Sequence, residues 1–136
     1  MEKELKIANR LSEVDRLADF VEELRVELNL SSTLAMNINL ALEEAVVNVI
    51  SYAYPQDQLH EMRLKVICPE QQLIFILSDS GVSFDPTKFA EADVSLPIEE
   101  RPVGGLGIFL IRKIMNEVTY ERIGRENNLI MKKMME

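Results

Sequence analysis

The chain has 136 residues, 47% hydrophobic and 28% charged, with a single cysteine. That is the size and balance of one globular domain spanning 1–136, and it excludes a disordered chain, which needs few apolar residues. Net charge is −8 and unevenly placed: residues 1–100 hold 8 Lys+Arg against 19 Asp+Glu, residues 101–136 hold 7 against 4.

An acidic body is a poor match to a phosphate backbone, so nucleic acid is not an expected partner. Any anionic ligand must then be held locally, by backbone amides, a helix N-terminus or a metal ion. Cys68 cannot form an internal disulfide, which points to a reducing compartment. No run approaches the roughly 18–20 consecutive apolar residues that span a bilayer, and the opening MEKELKIANR lacks the apolar core of a signal peptide. A cytoplasmic protein with no membrane partner is expected.

Residues 3–8 alternate as a first strand. Ser12 with Asp15 reads as a helix start close to a capping box. Val14, Leu17, Ala18, Val21, Leu24 and Leu28 then recur at three and four residues as one apolar stripe, with the acidic residues mostly outside it. A second helix, from Ser32 or Thr33 to Tyr52, is apolar nearly all round and is expected in the core. Pro55 ends it. Strands over Glu61–Cys68 and Gln72–Ser78 follow, joined by a turn at Pro69-Glu70. Residues 79–105 form a long irregular stretch rich in Gly and Pro, of the kind that is usually functional. A helix from Leu106 to Asn116 and strands over Val118–Ile123 and Asn128–Met134 complete the chain. Strands and helices do not strictly alternate, so the expected fold is α+β, a two-layer sandwich of a mixed β-sheet against helices.

Three features carry chemistry. On the second helix, Asn37, Glu44, Asn48 and Ser51 fall within a sector of about 60° at 100° per residue. Burying a carboxylate is costly unless it is paired or faces a cavity. Glu44 and Asn48, one turn apart, therefore either face something polar together or reach a rim and a neighbouring backbone. An apolar strand, Leu73–Leu77, delivers Asp79-Ser80-Gly81, which alone is more often a plain turn. Finally, Gly104-Gly105-Leu106-Gly107 opens a helix, where backbone N–H groups and the helix dipole favour phosphate. It is not a P-loop, since Gly-x4-Gly-Lys-Ser/Thr is absent, and it follows no strand.

Glu44-x3-Asn48, then Asp79-x-Gly81, then Gly104-Gly105-x-Gly107, in that order, resembles the GHKL ATPase superfamily of gyrase, chaperone, histidine kinase and mismatch-repair ATPases. ALEEAVVNVISYAYP and GGLGIFLIRKIMNEVTYER look like the bacterial anti-sigma-factor serine kinases. The resemblance implies ATP or ADP with Mg²⁺ as cofactors. By it, Glu44 is the general base and Asn48 the magnesium ligand. Asp79 accepts from the adenine amino group, and Gly81 lets the backbone approach the base. Gly104, Gly105, Leu106 and Gly107 belong to the lid over the phosphates, and residues 84–103 would order on ATP binding. It also implies a homodimer, sequestration of a sigma factor, and phosphorylation of a serine on a small anti-anti-sigma (STAS-type) protein. An ATP-gated partner-switching module with little kinase activity would use the same pocket. A detached sensor-kinase domain fits less well, because no histidine-bearing helix precedes the fold.

The pattern also departs from that family. Ser83 replaces the last Gly of Asp-x-Gly-x-Gly, Tyr52 stands where a His is common, and Gly124-Arg125-Glu126-Asn127-Asn128 replaces a Gly-Thr, with Asn128 the candidate substitute for its hydroxyl. Elsewhere, His60 is expected at the surface, Cys68 inert and Arg101 on an exposed loop. Met131, Met134 and Met135 are expected to pack in the core.

Overall fold

The computed structural model describes residues 1–54, 58–88 and 105–135. Strand β1 (Glu2–Ala8) leads through a 3₁₀ turn (Leu11–Val14) into helices α1 (Asp15–Leu28) and α2 (Ser32–Tyr52). The hairpin β2 (Glu61–Ile67) and β3 (Gln72–Asp79) follows, then a short 3₁₀ turn (Pro86–Lys88), helix α3 (Gly105–Ile114) and the hairpin β4 (Glu117–Ile123) and β5 (Glu126–Met134).

The five strands form one sheet in the order β1-β2-β3-β5-β4. The two-layer α+β sandwich is as expected, but the sheet is not mixed: every pairing is antiparallel. The reason lies in the connections. Two helices in succession carry the chain out and back between β1 and β2. The α3 crossover makes β3 and β4 run the same way, but β5 slots between them and pairs antiparallel with both.

Period-two alternation sends one face of the sheet into the core. Met62, Leu64 and Val66 of β2, Leu73, Phe75 and Leu77 of β3, and Leu129 and Met131 of β5 are all buried. Against them pack Leu17, Phe20, Val21 and Leu24 of α1, Ile38, Leu42, Val46 and Val49 of α2, and Ile108 and Ile111 of α3. The tight turns use left-handed backbone. Glu70 (φ 57°) sits between β2 and β3, and Gly124 (φ 60°) lies in the two-residue turn between β4 and β5.

Two expectations about the helices are corrected. Helix α2 is long and apolar enough to cross a membrane by length and composition. Here it lies in the middle of the helix layer, touching both α1 and α3. It is not buried all round: Met36 is 66% exposed and Leu40 40%. Its outer side faces away from the sheet, and the sequence run alone carries no record of that side. Ser12, second, does not cap α1. It lies in the 3₁₀ turn, and no side chain caps the helix at Val14. The entry is tied instead by Glu13, whose carboxylate accepts from the Ala8 amide (3.1 Å) and from Arg16 (3.0 Å). Ser31 is a true N-cap of α2, accepting from the Leu34 amide at 3.1 Å.

These two serines should therefore behave differently. Ser31→Ala is expected to cost about 1 kcal/mol, and Ser12→Ala to fall within about 0.5 kcal/mol of wild type, as surface substitutions do. Urea unfolding of the two variants measures both.

Candidate functional site

The site lies where α2, the end of β3, the β5 strand and the start of α3 meet. On α2, Glu44 is half-buried and Asn48 is 6% exposed, whereas Asn37 and Ser51 are exposed. Only two of the four polar residues predicted to share a sector are thus turned inward. Both face α3: a Cβ built on Gly107 would lie 3.2 Å from Glu44 Oε2 and 3.3 Å from Asn48 Nδ2. Absence of a side chain at Gly107 lets the first turn of α3 approach this pair. Gly105 begins α3, so the helix presents unbonded N–H groups at this end. Gly104 and Arg101 lie outside the described residues, as does most of the expected lid, and Leu106 is placed only as backbone in α3.

Burial holds the Glu44 carboxyl above the usual glutamate range, and the neighbouring Glu43 adds to the rise. Asn48 Nδ2 is buried with no hydrogen-bond partner among the described residues. An orphaned amide in a core is unfavourable. An amide can present either its oxygen or its nitrogen to the same place. The residues fit a magnesium ion that is held mainly by water and ligand oxygens and takes one protein amide. No group of three His, Cys, Asp or Glu side chains that could cage a metal occurs among the described residues.

Asp79 ends β3 and is 4% exposed. Desolvation raises its pKa, opposed by hydrogen bonds from Asn127 and Gly81 and by the charge of Arg122. Both bonds go to Oδ1, from Asn127 Nδ2 and from the Gly81 amide, each 2.9 Å. Oδ2 is left as an acceptor among the described residues. Asn127 is the hub of this corner. Its Nδ2 also donates to Val82 O (2.8 Å), and its Oδ1 accepts from Arg122 (2.9 Å) and from the Tyr120 hydroxyl. Asp79, Asn48 and Asn127 line one cleft with Val49, Phe84 and Tyr120. The cleft is narrow, with about 10 Å³ of free volume, room for about one water.

Gly81 is required by a close approach, though to α2 rather than to a ligand: a Cβ there would sit 2.3 Å from Ala53 O. The Val82 amide donates to that same carbonyl at 2.9 Å, and the Ser80 amide to the Tyr54 hydroxyl at 2.8 Å. These bonds fix the turn after β3 to the C-terminus of α2. Tyr52 stacks on Phe84 with centroids 5.4 Å apart.

Sequence reasoning pointed to Asn128, but the register pairs Asp79 with Asn127 and Ser78 with Asn128. Asn128 accepts from the Ser78 hydroxyl at 2.6 Å on the opposite face of the sheet. Asn127, Tyr120, Arg122 and Phe84 were missed. Strand parity was the signal for Asn127, since 127, 129 and 131 share the core face while 128 cannot, and for Tyr120 and Arg122 on β4; Phe84 lies on no strand and had none. Ser83, the departure from the Gly pattern, is exposed and needs no close backbone packing. His60 is half-buried rather than on the open surface, because its ring stacks on Tyr54 at 4.4 Å. Cys68 is half-buried beside Met135. Met131 is in the core, but Met134 is 46% exposed because it ends β5 on the outward parity.

The raised carboxyl pKa values make this corner costly at neutral pH. A carboxyl whose pKa is higher folded than unfolded binds more protons when folded. Stability therefore falls as pH rises from the unfolded pKa through the folded one. Glu44→Gln and Asp79→Asn are each expected to melt above wild type at pH 7 and to lose that advantage near pH 4, measured by thermal unfolding across the pH range.

Residues 7–133 match the family described as the histidine kinase-like ATPase domain. Over 86 residues the chain is 33% identical to the serine-protein kinase RsbW of Bacillus cereus (strain AH187), covering 60% of this chain and 53% of that protein. The same figures hold for the protein of that name in Bacillus anthracis (strain CDC 684 / NRRL 3495) and in Bacillus thuringiensis (strain Al Hakam). The chain spans about half the length of these curated relatives. With the α+β sandwich in place, and the family match running from the end of β1 through all three helices and nearly all of β5, the chain belongs to the histidine kinase-like ATPase domain family.

Proposed function

We propose that the chain binds ATP or ADP with Mg²⁺ in the cleft between α2, β3 and α3, and that it transfers the γ-phosphoryl group to a protein serine. The observation that carries the reading is the buried Asn48 Nδ2, without a partner among the described residues and placed beside Glu44 and the start of α3. In this reading Asn48 holds the ion, which when bound neutralises phosphate charge. Asp79 Oδ2 accepts from the adenine amino group, and Gly81 keeps the loop close enough for the base to reach it. The cleft is narrow as it stands, so Phe84 and Tyr120 must move aside for the base to enter. Gly105 and Gly107 bring backbone N–H groups toward the phosphates, and Gly104 and Leu106 are proposed as lid residues with them.

Glu44 takes the proton from the attacking serine hydroxyl as the oxygen bonds to phosphorus and the β-phosphate oxygen leaves. Burial raises its pKa, which makes the carboxylate a stronger base than an exposed glutamate. Phosphoryl transfer asks little covalent chemistry of the protein beyond positioning and charge neutralisation. Similarity to the serine-protein kinases supports the transfer step. The resemblance of the sequence motifs extends the proposal to a cytoplasmic, homodimeric anti-sigma factor whose substrate is a STAS-type anti-anti-sigma protein.

Glu44 and Asn48 should separate in one experiment using Mg²⁺, labelled ATP and a candidate substrate protein. Glu44→Gln should keep ATP affinity and lose transfer by about 10²–10⁴-fold. Asn48→Ala should weaken ATP binding itself. A wild type that binds ATP without transferring phosphate to any anti-anti-sigma protein would make the chain an ATP-gated binding module. An active Glu44→Gln would remove Glu44 from the mechanism.

A further inference from the structure

Beside the Ala53–Gly81 contact a second and wider cleft of about 490 Å³ opens to solvent. None of its lining residues lines the Asp79 cleft. Tyr54, Gln58, His60, Ser80, Arg122 and Arg125 supply its polar side chains, and no acidic side chain lines it among the described residues. In a chain of net charge −8 this is a local reversal of sign.

The two arginines are differently held. Arg122 is fixed by three acceptors: Nη1 donates to Gly81 O and Asn127 Oδ1 (2.9 Å each), and Nε to Gly124 O (3.3 Å). Its Nη2 keeps its donors without a described bond. Arg125 is exposed and makes no hydrogen bond or ion pair among the described residues. It sits in the β4–β5 turn, whose backbone is set by Gly124 at φ 60°. A guanidinium already oriented, a second one able to swing onto the same ligand, and the exposed Ser80 hydroxyl form a donor set without an internal acceptor of opposite charge. Paired guanidinium donors match the oxygens of a phosphate group.

We propose that this cleft is a phosphate-binding site, separate from the Asp79 cleft. Its ligand is a phosphate group, either free inorganic phosphate or a phosphoserine side chain. Because Arg122 also donates to Asn127, which holds Asp79, occupancy reaches the Asp79 corner through one shared side chain. The site does not depend on the nucleotide reading.

The test is an NMR titration of the full chain at constant ionic strength. One arm adds inorganic phosphate, and another adds N-acetyl-phosphoserine methylamide beside its unphosphorylated form. The expected result is saturable shifts at the Ser80, Gly81, Arg122 and Arg125 amides, with the Asn127 side-chain amide moving at the same Kd. Arg125→Ala, an exposed position outside the Asp79 network, should weaken the binding by about tenfold, equal to about 1.4 kcal/mol. Tighter binding of the phosphoserine compound assigns the site to a protein-borne phosphate, and equal or weaker binding to the free ion. Shifts confined to Glu44, Asn48, Gly105 and Gly107, no saturable shift, or an Arg125→Ala variant that binds like wild type would each overturn the proposal.

Discussion

The hydrogen bond from the Asn127 amide to the Asp79 carboxylate joins the end of one core strand to the start of its neighbour, and the site depends on it. A carboxylate that is 4% exposed is strongly disfavoured unless donors replace the water it has lost. Asn127 supplies one donor, the Gly81 amide supplies another, and Arg122 sets a positive charge behind them. The β3–β5 register makes this possible, since it places Asp79 directly across from Asn127. A slip of one residue would turn Asn127 to the other face of the sheet and strand the carboxylate. The turn after β3 is then pinned to α2 through Ala53, which only a glycine at 81 allows.

The same compromise between stability and polarity recurs on α2. Ile38, Leu42, Val46 and Val49 bury this helix on the sheet and supply much of the core. Yet the side facing α3 carries Glu44 and Asn48, one with its carboxyl pKa raised and the other with an amide nitrogen unpartnered among the described residues. A sequence selected only for folding would place apolar residues at both positions. Local rules broken at neighbouring positions are what a functional site is expected to show. Gly107 belongs to the same arrangement, because a side chain there would press on the ends of Glu44 and Asn48.

Most of the fold was legible because its signals are local. The three- and four-residue stripe of α1, the breadth of α2 and the alternation of β2, β3 and β5 each follow from the chain's own period. The sheet was misjudged as mixed because strand order is set by which strand slots between which, and no local pattern records that β5 divides β3 from β4. Ser12 was misread for a related reason. A capping motif was judged by composition, while the side chain that ties the entry to α1 is Glu13, bonded back to Ala8. For the site, Glu44, Asn48 and Asp79 stood out as polar residues in apolar surroundings. Asn127 did not, because its meaning lies in a cross-strand partner nearly fifty residues away, and the sequence reading fell one residue off at Asn128. Of the glycines opening α3, Gly107 is placed against Glu44 and Asn48, while Gly104 lies outside the described residues.

The central proposal is that the buried Asp79 carboxylate reads an adenine. Adenine offers an exocyclic amino donor where guanine offers a carbonyl oxygen, so the carboxylate should attract one base and repel the other. Calorimetric titration of the protein with ATP and with GTP, each with Mg²⁺, tests this most directly. The account predicts that ATP binds and that GTP binds more weakly. GTP bound as tightly as ATP would contradict it.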